Sequence, residues 1–187
     1  MIEIRIHGRG GQGIVTAAEL LSVAAHEDGK MSQGFPTFGA ERMGSPVAAF
    51  VRIAEKKIRL RTAVLNPDYV IVQDPTMIGR IDVFAGLKNS GIALLNSETI
   101  CTTLPPNATF KVICLPATKI ALEIIGRDVP NTTLLGAFSA LTNLYSLEAL
   151  KKAIEHRFSA KLVAKNIQAA EKGYEIVIKE HTDLVKR

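Results

Sequence analysis

The sequence predicts an α/β protein: a three-layer α/β/α sandwich on a mostly parallel, Rossmann-like sheet, with an antiparallel hairpin and a helical C-terminal third. Three observations carry this prediction: short apolar runs typical of buried strands, apolar residues at helical spacing, and a glycine-rich turn between the first strand and the first helix. The chain has 187 residues, enough for one domain with an apolar core. We therefore expect a single domain over residues 1–187.

The first elements follow from the spacing of apolar residues. Residues 2–7 alternate apolar and polar side chains until Gly8, a pattern typical of a strand. From Ile14 to about Ala25 the apolar residues recur at steps of three and four, which predicts a helix. Residues 31–35 are a candidate second strand.

The middle of the chain is predicted to form strands and one hairpin. Val47 to Ile53 is apolar and β-prone, and Lys57 to Arg61 is predicted to pair with it across a turn at Glu55-Lys56. Three later apolar runs predict buried parallel strands, at residues 69–72, 92–95 and 110–115.

The C-terminal third is predicted to be helical. Helices are expected over 117–125 and 132–144, and two more are expected to begin at Ser146 and Ser159. Because strands alternate with helices, we expect a largely parallel sheet with helices on both of its faces.

Composition narrows the possible functions. The net charge is +5, from 23 basic and 18 acidic residues, and part of the basic excess lies at residues 56–61. We interpret this segment as solvated surface, with steering of an anionic ligand or partner as the alternative. Nucleic-acid binding is not expected, because the cations are not interleaved with aromatic residues, which make up 5% of the chain.

Membrane insertion and metal binding by this chain are not expected either. No apolar run approaches the roughly 20 residues of a membrane span, and the N terminus lacks the regions of a signal peptide. The two cysteines, Cys101 and Cys114, cannot hold a four-thiolate iron–sulfur cluster, and the four histidines lack metal-ligand spacing. We therefore expect a cytoplasmic chain that binds no metal.

A glycine-rich loop joins the first strand to the first helix. It consists of Gly8, Arg9, Gly10, Gly11, Gln12 and Gly13. The amides at a helix start favour an anion, and Arg9 adds charge. A dinucleotide site would also need an acid after the second strand, where Ser32-Gln33-Gly34 offers none. A third interpretation is that the glycines only allow a close strand–helix turn.

Two further features suggest ligand or partner contacts. The loop at residues 35–47 contains two prolines, two glycines, two phenylalanines and the adjacent pair Glu41-Arg42. Asp74 follows a predicted parallel strand, at the edge where α/β sheets bind ligands, although it is also suited to capping a turn.

The two loops together resemble the gamma subunit of pyruvate and related 2-oxoacid:ferredoxin oxidoreductases. The glycine loop continues into Ile14-Val15-Thr16-Ala17-Ala18-Glu19, and residues 35–47 are similar to the signature Phe-Pro-x-Phe-Gly-x-Glu-Arg-x-Gly-x-Pro-Val. Weaker matches lie at 66–75, 95–98 and 131–137, so the resemblance covers about residues 2–180.

The resemblance implies a subunit of an enzyme that oxidatively decarboxylates pyruvate with coenzyme A to acetyl-CoA and CO2, passing electrons to ferredoxin. It implies that thiamine diphosphate, Mg and iron–sulfur clusters belong to the holoenzyme and none of them to this chain alone. The implied partners are the alpha, beta and ferredoxin-like delta subunits, with ferredoxin as external acceptor. The resemblance implies no catalytic or metal-binding residue here. Candidate ligand or interface residues near coenzyme A are Gly8, Arg9, Gly10, Gly11, Gln12, Gly13, Phe38, Gly39, Glu41, Arg42 and Asp74.

Other functions stay open at this point. The chain could also be the gamma subunit of the 2-ketoisovalerate enzyme or of an enzyme for another 2-oxoacid. The residues that select the side chain of the 2-oxoacid are expected on other subunits. A freestanding nucleotide-binding oxidoreductase would bind NAD(P) or flavin by itself. A regulatory or scaffolding protein would leave pyruvate oxidation to the remaining subunits.

Overall fold

The computed structural model describes residues 1–37, 43–99 and 108–181. The strands are β1 (Ile2–Arg9), β2 (Met31–Pro36), β3 (Pro46–Ala54), β4 (Tyr69–Val72), β5 (Ile92–Asn96) and β6 (Lys111–Leu115). The α-helices are α1 (Ile14–Glu27), α2 (Ala117–Ile124), α3 (Asn131–Thr142), α4 (Leu147–Arg157) and α5 (Ala160–Glu180). The α/β class, the glycine turn, these strands and the four C-terminal helices were predicted from the sequence and are confirmed.

The strands form one mixed sheet in the order β2-β3-β1-β4-β5-β6. Neighbouring strands are parallel from β1 through β4 and β5 to β6. Strand β3 is antiparallel to both β1 and β2. The carboxyl ends of four parallel strands therefore meet at one edge of the sheet, beside the turn that leads into α1.

The main apolar core lies between the helices and one face of this sheet. Side chains from helices α1 to α5 join it, together with side chains from every described strand except β2, including Ile6 of β1 and Leu94 of β5. Helix α3 is buried along its whole length and packs closely on α5. A Cβ atom on Gly136 of α3 would clash with the carbonyl oxygen of Ala170 in α5. Glycine is therefore required for this helix crossing.

The opposite face of the sheet is covered by irregular chain. Val72 and Leu95 on that face pack with Met77, Phe84 and Leu87, which lie between β4 and β5. The expectation of helices on both faces is wrong for the described residues. The β4–β5 connection contains positive-φ glycines at positions 79 and 86 and forms only the 3-10 turn Pro75–Met77, so it cannot continue as a helix.

The predicted hairpin between Val47–Ile53 and Lys57–Arg61 is also wrong. Strand β3 is already paired along both edges, with β1 on one side and β2 on the other. Residues 57–61 therefore have no free edge of β3 to join. They form an irregular, mostly exposed segment, in which the Leu60 carbonyl accepts a hydrogen bond from Arg52. The antiparallel part of the sheet is instead β2–β3–β1.

Candidate functional site

The glycine loop is held against the start of β3. The amide of Gly10 donates to the Ser45 carbonyl (2.9 Å), and the amide of Gly44 donates to the Gly10 carbonyl (3.1 Å). Gly11 (φ 93°) and Gly13 (φ 75°) adopt left-handed backbone conformations that favour glycine. The loop therefore has a defined shape, extending the β1–β3 pairing before it turns into α1.

An ion pair joins this loop to the end of β4. The Nε of Arg9 lies 2.8 Å from Oδ2 of Asp74, and the other two guanidinium nitrogens donate to the Gly44 carbonyl (3.0 Å) and to Thr76 Oγ1 (2.9 Å). The Nε2 of Gln12 donates to the same Asp74 oxygen at 3.1 Å. The structure thus brings Arg9, Gln12 and Asp74, three of the predicted site residues, into one network.

Asp74 receives four donors in total. Beyond Arg9 and Gln12, its Oδ1 accepts from the Thr76 amide (2.9 Å) and the Thr76 hydroxyl (2.6 Å). Burial raises the pKa of this carboxyl group, but the hydrogen bonds from Thr76, Gln12 and Arg9 outweigh burial and lower the pKa overall. Asp74 is therefore a fixed carboxylate at neutral pH, suited to positioning rather than to proton transfer.

This network changes the interpretation of Arg9. The sequence suggested a loop cation that faces a bound anion, but all three guanidinium nitrogens of Arg9 donate to protein acceptors. Asp74 also caps the turn at Pro75–Met77, as its alternative interpretation predicted. Both residues position the loop.

The start of α1 provides an open set of amides. The first helical hydrogen bond runs from the Ala17 amide to the Gly13 carbonyl (2.9 Å), so the amides of Ile14, Val15 and Thr16 precede it. No side chain of the described residues caps this end. Ile14, Val15 and Thr16 line a hollow of about 290 Å³ together with the glycine loop and Val47. An anion can approach the helix start through this hollow.

A second, larger cleft lies at the carboxyl edge of the parallel strands. It measures about 670 Å³ and is lined by Gln12, Gln73, Asp74, Pro75, Thr76, Asn96, Ser97, Glu98, Pro116, Thr118, Lys119, Leu122, Glu123 and Asp128. Asn96 donates to the Gln73 carbonyl (2.8 Å) and to Thr118 Oγ1 (2.9 Å), and Thr118 Oγ1 donates to Asp128 (3.0 Å).

Asn96 and Thr118 were not predicted from the sequence as site residues. The available signal was their position at the carboxyl ends of parallel strands, because Asn96 ends β5 and Thr118 lies shortly after β6. Four predicted site residues, Phe38, Gly39, Glu41 and Arg42, lie outside the described residues. Over the described ranges, no group of three His, Cys, Asp or Glu side chains is placed to hold a metal ion. No helix in those ranges is long and apolar enough to span a membrane.

Comparison with known proteins identifies the family. The family model described as pyruvate ferredoxin/flavodoxin oxidoreductase matches residues 3–176, which includes the glycine loop, Asp74 and all five α-helices at least in part. The chain belongs to this family.

Individual relatives within the family are similar over nearly their whole length. Pyruvate synthase subunit PorC of Methanothermobacter marburgensis is 53% identical, covering 94% of this chain and 97% of the relative. The common gamma subunit of the pyruvate/ketoisovalerate oxidoreductases of Thermococcus kodakarensis is 47% identical, covering 93% and 96%. The crystal structure of pyruvate oxidoreductase subunit PORC from Thermotoga maritima has a TM-score of 0.81 at 40% identity, covering 93% and 95%.

Proposed function

We propose that this family member is the gamma subunit of a pyruvate:ferredoxin oxidoreductase, or pyruvate synthase. The holoenzyme would convert pyruvate and coenzyme A to acetyl-CoA and CO2 and pass electrons to ferredoxin. The observation that carries the proposal is the 53% identity with a pyruvate synthase subunit over 94% of this chain. A second candidate, the 2-ketoisovalerate enzyme, is favoured by the similarity to a gamma subunit common to both enzymes.

In this proposal the chain is a necessary part of the enzyme and carries no redox cofactor. Thiamine diphosphate with Mg and the iron–sulfur clusters would reside on alpha, beta and ferredoxin-like delta subunits, in a cytoplasmic complex. The two cysteines of the sequence are too few for a four-thiolate cluster. The cofactors supply the carbon and electron chemistry, and the role of this chain is to bind and orient.

Part of the coenzyme A region would lie at the glycine loop. The open amides of Ile14, Val15 and Thr16 suit a phosphate group, and the positive end of the α1 dipole adds to their attraction. The pair Arg9–Asp74 would hold these amides in place through the loop. Coenzyme A would therefore be recognised by backbone donors that the ion pair positions.

Reconstitution of the complex tests the subunit role. The remaining subunits are assayed for pyruvate-dependent ferredoxin reduction with and without this chain, and we expect activity only when it is present. Full activity without the chain would favour the regulatory or scaffolding alternative. Parallel assays with 2-ketoisovalerate and 2-oxoglutarate identify the substrate, and NAD(P) or flavin binding by the isolated chain would favour the freestanding alternative.

A charge placed at the α1 start tests the coenzyme A region. Val15 is 43% exposed in the first turn of α1, so Val15→Glu introduces a carboxylate beside the open amides. Two charges about 6 Å apart near a protein surface repel by roughly 3 kcal/mol, so we expect KM for coenzyme A to rise at least about tenfold. Val15→Gln is the size-matched control. If KM for coenzyme A changed equally in both variants, or if only KM for pyruvate changed, this region would not be part of the coenzyme A site.

A further inference from the structure

The surface at residues 56–61 is unusually rich in uncompensated positive charge. Four of these six residues are cations, namely Lys56, Lys57, Arg59 and Arg61, and all four side chains are exposed. After Glu55 the next acidic residue along the chain is Asp68. Within the described ranges none of the four cations takes part in a salt bridge. Their charge is therefore directed at solvent or at a partner.

Two buried arginines hold the inner side of this segment. Arg52, which is 1% exposed and paired with Glu3 at 2.9 Å, directs its terminal nitrogens at the carbonyls of Leu60 and Ala63 (3.5 Å each). Arg5 donates to the carbonyl of Val64, further along the same irregular chain, at 3.3 Å. The backbone carbonyls thus face the sheet. The chain is therefore anchored to the sheet at Leu60, at the end of the cationic segment, and at Ala63 and Val64 just beyond it.

The segment also borders a concave surface with apolar character. A hollow of about 500 Å³ is lined by Met1, Ala54, Glu55, Lys56, Lys57, Ile58, Arg59 and Leu60. Met1 is 58% exposed and Leu60 is 49% exposed, and the nearby Leu65 is 72% exposed. Exposed apolar side chains bordered by charges are typical of a protein–protein contact surface.

This surface is remote from the glycine loop. Ile2 of β1 pairs with Ile53 of β3, so the hollow lies at the amino end of β1, whereas Arg9 ends the strand at the other edge. Eight residues of β-strand span roughly 23 Å at about 3.3 Å per residue. The cationic surface is therefore too far away to be part of the proposed coenzyme A region.

We propose that the cationic surface, defined as residues 56–61 with the hollow beside Met1, binds an acidic segment of another subunit of the holoenzyme. Carboxylates of that segment pair with the lysines and arginines, and an apolar side chain of the segment enters the hollow. The inference rests on the proposed role of the chain as a subunit. Because the surface is cationic, an acidic protein surface is the complementary partner. The exposed side chains of Leu60 and Leu65 favour a stable subunit contact.

Zero-length carbodiimide cross-linking of the purified native complex tests which molecule occupies the surface. We expect Lys56 or Lys57 to be joined to an Asp or Glu of another subunit, identified by mass spectrometry. Cross-links from these lysines only after ferredoxin is added would overturn the proposal. The proposal would also be overturned if neither lysine forms a cross-link in a complex where cross-links between subunits form at other positions.

Charge reversal supplies an independent measurement. The variant Lys57→Glu/Arg59→Glu is compared with Lys161→Glu/Lys165→Glu, which changes the same charge at two exposed lysines of α5. At low salt we expect the apparent dissociation constant from the other subunits to rise at least tenfold for the first variant and less than twofold for the second. The difference should shrink as salt screens the charges. Equal effects, with both variants as stable as the wild-type chain, would refute the proposal.

The outcome for this surface can be separated from the outcome for the proposed function. If the wild-type chain does not associate with the other subunits and they oxidise pyruvate without it, the subunit role itself fails. If the wild-type chain associates and the charge-reversed variant associates equally well, only the docking surface fails.

Discussion

Replacing Asp74 by asparagine should loosen the glycine loop while leaving β4 intact. The substitution keeps the size of the side chain and removes its charge. The amide oxygen of asparagine can keep the hydrogen bonds from Thr76, which reach Asp74 Oδ1 at 2.9 and 2.6 Å. The amide nitrogen then faces Arg9 Nε and Gln12 Nε2, which are themselves donors and lie 2.8 and 3.1 Å from the present Oδ2.

The expected loss of stability follows from these contacts. Hydrogen bonds that involve a charged group contribute about 1.5–3 kcal/mol each, and two of them are lost. Water offsets part of the loss, because the side chains of Arg9 and Asp74 are 23% and 11% exposed. We expect unfolding free energy to fall by about 2–3 kcal/mol, which lowers the midpoint temperature of a chain this size by roughly 4–12 °C.

Asp68→Asn is the matched control at the other end of the same strand. Asp68 accepts from the Glu3 amide (2.8 Å) and from Lys88 (2.7 Å), whose side chain is 45% exposed. The Asp68→Asn substitution should lower the unfolding free energy by less than about 1 kcal/mol. Chemical unfolding of each chain gives the stability, and steady-state assays of each holoenzyme give KM for coenzyme A. We expect only Asp74→Asn to raise that KM; equal stability losses at both positions would refute the reasoning.

Two further predictions concern the buried interior. His7 accepts from Arg5 Nε at its own Nε2 (2.9 Å), and burial, followed by the charge of Arg5, lowers its pKa to about 4. The pKa of histidine in the unfolded chain is near 6.5, so the unfolded state takes up a proton that the folded state does not. The unfolding free energy should therefore fall by up to about 3 kcal/mol as pH decreases from about 6.5 to 4. Urea unfolding across this pH range should show a shallower decline for His7→Gln than for the wild-type chain. Gly136→Ala should lower the unfolding free energy by about 1–3 kcal/mol, measured by thermal unfolding, because the added methyl group clashes with the Ala170 carbonyl. The control Ala164→Ser, on the exposed side of α5, should change it by less than about 0.5 kcal/mol.

Much of the fold was predictable because it depends on local pattern. The alternation in residues 2–7, the glycines of the following turn and the helical spacing from Ile14 each reflect neighbouring residues, and the structure confirms all three. The hairpin at 57–61 was mispredicted because apolar and basic alternation also suits an irregular segment exposed to solvent. Whether a strand has a free edge depends on residues far away along the chain.

The sequence by itself determined the family, through two loops whose residue types and spacing resemble a known signature, and it determined the strand–turn–helix unit at the centre of the site. Only the tertiary structure decided what Arg9 does. Its carboxylate partner, Asp74, is 65 residues away and reaches it because β1 and β4 are adjacent in the sheet. The placement of all five described α-helices on one face was likewise settled by packing, since the spacing of apolar residues shows which side of a helix is buried but not which face of the sheet buries it.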